Sequence, residues 1–138
     1  MWILYALGAA FFAALVAIFG KLGISNIDST VATALRSIIM SVVLVFVVLS
    51  IKQQELQSIS DITSKEWLFL VLAGLAGALS WICYFAALKT GDATKVVVLD
   101  RLSVVFVLLL SVLFLHEVLT WKLVTGVLLM IGGVLLML

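Results

Sequence analysis

Five long apolar runs separated by short polar clusters leave this chain few folds to choose from. A helix that crosses the hydrocarbon core of a bilayer needs ~20 mainly apolar residues. The runs cover about residues 2–20, 30–51, 67–88, 96–115 and 121–138. Strands suit them poorly: an open sheet edge leaves backbone groups unpaired in lipid, and a small membrane barrel alternates apolar with polar residues. The expected fold class is an all-α membrane protein with five transmembrane helices.

Composition points the same way. Of the 138 residues, 66% are hydrophobic and only 11% are charged, where soluble domains carry roughly 25% charged residues. A soluble domain of this size would leave the surplus apolar surface as patches that aggregate in water. The length suits one domain, residues 1–138. A net charge of +1 supplies neither a basic field for nucleic acid nor an acidic tail. Cys83, the only cysteine, lies inside an apolar run and reads as a packing residue, so neither an intramolecular disulfide nor a cysteine-rich metal site is available. The first run has no positive region ahead of it and no cleavage site closing it, and is read as a retained helix.

The segment KQQELQSISDITSKE, residues 52–66, carries both charge signs and must lie outside the hydrocarbon, with room for a short surface helix. The other connections are short. Small residues mark the expected helix contacts, because in lipid it is close backbone approach that lets helices associate. They are Gly8, Ala9, Ala13 and Ala17 on the first run, Ala73, Gly74, Gly77 and Ala78 on the third, and Gly126, Gly132 and Gly133 on the last. Trp2, Trp67 and Trp121 fall at run ends, where an amphipathic ring suits the headgroup layer.

A charge at the centre of a spanning segment costs ~2.5 to 3.5 kcal/mol on insertion scales, so each one needs a reason. Arg36 lies ~10 Å and Asp100 ~7 Å from the ends of their runs, at 1.5 Å per residue. With five spans alternating in direction, those ends face the same side, which allows an ion pair between them. Arg101 points ~100° away from its neighbour Asp100 and does not serve the same partner equally. Two readings stay open: an ion pair with one head reaching the interface, or a polar lining for a substrate path. On the second reading Asp100 is the proton or cation site, its pKa raised by desolvation and lowered by a nearby arginine.

Trp81, Tyr84 and Phe85 share the third run with Ser80 and Cys83 interleaved. Their rings suit either local aromatic packing or stacking on a flat or cationic substrate. Glu117, beside His116, falls in the turn before the last run, placed to cap that helix or hold the turn. No residues show metal-ligand spacing, and no nucleophile–base–acid set, phosphate loop or dinucleotide motif is present. Neither an enzyme nor a cofactor is expected.

Lysines divide evenly between the two membrane faces: Lys52, Lys65 and Lys122 lie on the side of the N-terminus, and Lys21, Lys89 and Lys95 on the other. Counting Arg36 and Arg101 makes the second face the cytoplasmic one. So weak a bias in a bundle with an odd number of spans fits copies that insert both ways and pair antiparallel, reproducing the inverted repeat of many transporters. A parallel two-fold dimer is the rival arrangement.

The stretches AIFGKLGISNIDSTVATALRS, KEWLFLVLAGLAGALSWICYFAALKTGDATKVVVLDRLSVVF and LFLHEVLTWKLVTGVLLMIGGVLLM resemble the EamA domain of the drug/metabolite transporter superfamily. More narrowly, the chain resembles the short bacterial and archaeal members with one five-helix domain. By that resemblance Lys21, Arg36, Trp81, Tyr84, Lys89, Gly91, Asp100, Ser103, Glu117 and Gly126 match the family pattern, and Arg101 stands where lysine is common. Ser29 and Val98 stand where proline is common, and a chain without proline is expected to start its second and fourth helices straighter than its relatives.

The resemblance implies one half of a ten-helix inverted-repeat transporter in the cell membrane. It also implies a homodimer that exports or exchanges a small metabolite, amino acid or drug-like compound by alternating access. The candidate substrate or ion pathway comprises Arg36, Ser80, Trp81, Tyr84, Asp100, Arg101 and Ser103. The alternatives are a non-transporting membrane subunit and a lipid-headgroup flippase.

Overall fold

The computed structural model describes residues 2–52, 56, 59, 61–116 and 118–138. Among the described residues six α-helices run in order: α1 Trp2–Gly23, α2 Ser29–Ile51, α3 Ser64–Thr90, α4 Ala93–Asp100, α5 Ser103–Leu115 and α6 Trp121–Met137. No strand occurs among the described residues. α1, α2, α3 and the pair α4–α5, Ala93–Leu115, are each long and apolar enough to cross a membrane, and α6 is a shorter apolar helix of 17 residues. At 1.5 Å per residue the 22 residues of α1 reach ~33 Å, enough for a hydrocarbon core of ~30 Å.

Side chains along these spans face outward. Phe46 is 69% and Phe114 78% exposed. Large apolar groups left bare along every span are stable only with acyl chains around them, and the chain is a multi-pass membrane protein.

Local signals set the helix starts. Asp28 caps α2, accepting from the N–H groups of Thr30 at 2.9 Å and Val31 at 3.3 Å. Those backbone bonds, with a smaller contribution from Lys89, hold the Asp28 carboxyl below its ordinary range. A capping box opens α3: Glu66 accepts from the Thr63 N–H and hydroxyl, each at 2.8 Å, and the Glu66 N–H donates to Thr63 Oγ1 at 3.4 Å. This starts α3 at Ser64, ahead of the apolar run at Trp67, and it extends to Thr90. Thr120 caps α6. His116 ends α5 in the left-handed region at φ 54°.

The fourth span is not the continuous helix expected over residues 96–115. It begins at Ala93 and is interrupted at Arg101 and Leu102. Around that point the ladder tightens to i→i+3 bonds, with Leu102 N–H donating to Leu99 O at 2.9 Å, Val104 to Arg101 O at 3.1 Å and Val105 to Leu102 O at 2.9 Å. The backbone at both residues lies near φ −63° with ψ of −17° and −15°, which is 3₁₀-like geometry. The change of pitch sits three residues beyond Val98 and needs no proline.

The chain forms two compact units, Met1–Ile18 with Thr90–Leu138, and Phe19–Lys89. In the first, α4 packs against α6, and Lys95 Nζ donates to Leu138 O at 2.8 Å. Ala17, Val127 and Val134 are its buried apolar residues. In the second, Ile24, Phe85 and Leu88 are buried together with one polar group, Thr33, whose hydroxyl donates to Ser29 O at 2.8 Å.

Of the small residues expected at helix contacts, Ala17 is buried, whereas the glycines stand open. A Cβ built at Gly8, Gly74, Gly77, Gly126, Gly132 or Gly133 meets no described atom within 4 Å, so these positions make no tight contact with the described residues of their own unit. The close approach is at Gly20, where a Cβ would stand 3.3 Å from Phe85 Cζ and 3.6 Å from Leu88 Cδ1.

Candidate functional site

The second unit gathers a cationic and aromatic cluster from α2 and α3. Trp81, Tyr84 and Phe85 follow i, i+3, i+4 spacing, so they share one face of α3. The three rings pack edge to face or tilted, with centroids 5.4 Å apart for Trp81–Tyr84, 6.0 Å for Trp81–Phe85 and 6.1 Å for Tyr84–Phe85. Arg36 of α2 lays its guanidinium on that face, its Cζ 3.8 Å from the Trp81 centroid and 5.5 Å from that of Phe85. Both distances are within reach of a cation–π attraction.

Arg36 is half-buried, and its Nη1 is buried with no hydrogen-bond partner among the described residues. A charged donor without an acceptor is a rare and costly state for a buried group.

The end of this unit nearest Arg36 is laced by two lysines. Lys21 of α1 donates through Nζ to Leu88 O, and Lys89 at the end of α3 donates to Ile27 O at 3.1 Å. Together they tie α1 and the α1–α2 turn to the last turn of α3, where free carbonyls attract cations. Ser37 donates to Thr33 O at 2.8 Å, and so its hydroxyl is turned back onto its own helix.

Of the other candidates, Ser80 is exposed on α3. Asp100, Arg101 and Ser103 belong to the first unit. All three are exposed, Asp100 closing α4, Arg101 in the interruption and Ser103 opening α5. Arg36 and Asp100 therefore belong to different units, and an ion pair between them is part of neither unit's geometry. Glu117 lies outside the described residues, and the side chain that caps α6 is Thr120.

Sequence reasoning placed Arg36 and the aromatic residues on their helices but did not join them. It also left out Phe85 as a site residue, and the two lysine clamps. The signal was present: three rings at helical spacing, and one cation on the preceding helix at a similar distance from the shared end. No group of three or more metal-ligating side chains occurs among the described residues. A separate groove of about 660 Å3 at the start of α3 is lined by Asp61, Ile62, Glu66, Phe69, Leu70 and Ala73. It lies at the far end of the helix from Trp81, roughly 22 Å along the axis from Glu66.

The EamA-like transporter family matches the chain over residues 1–138. A Sinorhizobium protein named "Uncharacterized transporter in cobO 3'region" is 43% identical over 136 residues, covering 99% of this chain and 95% of the relative. No solved structure matches.

Proposed function

The chain belongs to the EamA-like transporter family, and from that premise we propose that it is a secondary transporter, an exporter or exchanger of a small metabolite, amino acid or drug-like compound. The observation that carries this reading is the Arg36 guanidinium held on the Trp81 ring, 3.8 Å from its centroid, inside a spanning helix. Ionisable groups within membrane spans are rare, face the bundle interior or a water-filled cavity, and mark solute and ion routes. Here the buried Nη1 argues against a head that merely reaches the interface. The relative at 43% identity, itself named a transporter, supports the same conclusion.

The protein works as a homodimer in the cell membrane of a bacterium or archaeon, with alternating access between the two copies. Five spans are thin for an enclosed pathway, whereas two copies supply ten, as in transporters built from inverted repeats. Gly74 and Gly77, open at their Cβ positions, offer a second copy's helix a close approach. The near-even lysine distribution favours antiparallel copies. Tagging both termini and testing access from each side of the membrane checks this: both termini reached from both sides is the expected result, and one uniform orientation contradicts it.

The route runs past Arg36, Trp81 and Tyr84, with Ser80 beside them, and past Asp100, Arg101 and Ser103, where Asp100 carries the coupling proton or cation. Purified chain in sealed vesicles, assayed for solute uptake that depends on a gradient, tests the proposal. Uptake only when another protein is added would instead identify an accessory subunit.

A further inference from the structure

We propose that Arg36 binds an oxyanion, a carboxylate or a phosphate, on a molecule whose apolar part lies against the aromatic face of α3. This rests on the reading of the Arg36 cluster as part of a solute's route and names the chemistry of what passes.

A guanidinium has only donors, arranged in its plane, while its faces are free to stack. Trp81 takes one face at 3.8 Å. That leaves the edge, and Nη1 on that edge is buried and unpartnered among the described residues. The group that fits it is a planar or tetrahedral oxyanion able to accept two parallel N–H bonds.

Among the described residues of the second unit, the carboxylates are capped or lie at the far end of α3. Asp28, the acidic group at the same end, has its carboxylate engaged by the Thr30 and Val31 N–H groups. Glu66 is engaged with Thr63, and with Asp61 it lines the groove at the far end of α3. Meanwhile Lys21 and Lys89 stand at the same end as Arg36, each donating to a backbone carbonyl. Three cations against one capped aspartate make this end electropositive, which draws in anions and repels cationic solutes. Below it the half-buried rings of Trp81 and Tyr84 offer apolar surface to the body of the ligand.

A solute and a lipid headgroup can both present this oxyanion. The test is thermal unfolding of the purified chain in a neutral sugar-headgroup detergent, with 3-phenylpropanoate, its uncharged analogue 3-phenylpropanamide, and phosphatidylglycerol as probes. A ligand that binds the folded state raises Tm as its concentration rises. The expected result is a concentration-dependent rise with the acid and none with the amide, lost in Arg36→Gln and weakened in Arg36→Lys. If phosphatidylglycerol gives the Arg36-dependent rise and blocks that of the acid, the oxyanion site stands and its source is the lipid.

Equal shifts with acid and amide, no shift with either the acid or the lipid, or a shift that survives Arg36→Gln overturn the proposal. Should Arg36→Gln fail to fold, the acid–amide comparison on the unaltered chain still decides. Because this is binding in detergent, its outcome is separable from that of transport. Arg36-dependent binding without flux in vesicles would sink the transporter reading alone, and flux of a cationic solute without acid binding would sink the oxyanion site alone.

Discussion

Arg36 and Trp81 meet across α2 and α3 with the guanidinium carbon 3.8 Å from the centroid of the indole ring. The contact joins the one charged side chain of α2 to the first ring of an aromatic face, and it explains how a membrane span holds an arginine whose Nη1 has no acceptor among the described residues. An indole offers the strongest ring field for a cation.

Trp81→Ala removes that field and opens space beneath the guanidinium. The expected loss is ~0.5 to 2 kcal/mol from the cation–π contact, with a further cost for the space left behind. Trp81→Phe keeps a smaller ring in the same place and should lose less. Unfolding in detergent, followed for both variants, measures the difference. Equal stability of all three proteins would show that the contact contributes nothing.

How far the sequence predicted this arrangement depends on whether each signal is local or pairwise. The spans are legible because hydropathy sums along a single run, and the boundaries of α2 and α6 fall within about two residues of the apolar runs. Arg36 and Asp100 stand out because a charge in an apolar run is conspicuous by itself. The partner of Arg36 is not legible in that way. Depth along the runs suggests Asp100, and the contact with Trp81 depends on how α2 and α3 are rotated about their axes, which neither run encodes by itself. The interruption at Arg101 and Leu102 carries no proline or glycine to announce it. The Thr63–Glu66 capping box, by contrast, was readable from T-x-x-E and sets the start of α3 ahead of its hydropathy.

Gly20 faces the Phe85 ring, and the size of what replaces it decides the outcome. In Gly20→Ala the new methyl stands 3.3 Å from Phe85 Cζ, and a small shift of the ring end is offset by ~1 kcal/mol of better helix propensity. Gly20→Val adds bulk that the ring cannot clear, at ~1 to 3 kcal/mol for overpacking. Melting temperatures should therefore place Ala near the unaltered chain and Val clearly below it. The same two substitutions at Gly77, where nothing stands within 4 Å, should not separate in this way in a monomeric sample.

The cap at Asp28 predicts a pH dependence local to the start of α2. The carboxyl is held below its ordinary range chiefly by the Val31 and Thr30 N–H groups, so the folded form binds its proton less readily than the unfolded chain. The stability from this group is present in full above the ordinary carboxylate range and is lost as pH falls through the lowered value. Protection of the Thr30 and Val31 amides, taken relative to their intrinsic exchange rates, should fall in that acid window and hold steady between pH 5 and 8. Asp28→Ala should abolish the acid step and leave exchange fast throughout.

The most direct test of the whole account is solute uptake by the chain alone in sealed vesicles, against a panel of amino acids and small carboxylates, with Arg36→Ala and Asp100→Asn in parallel. Gradient-dependent uptake above protein-free vesicles is the expected result, abolished in each variant while both remain inserted in the bilayer. Uptake that is indistinguishable from protein-free vesicles for every solute, or that persists in full in both variants, would contradict it.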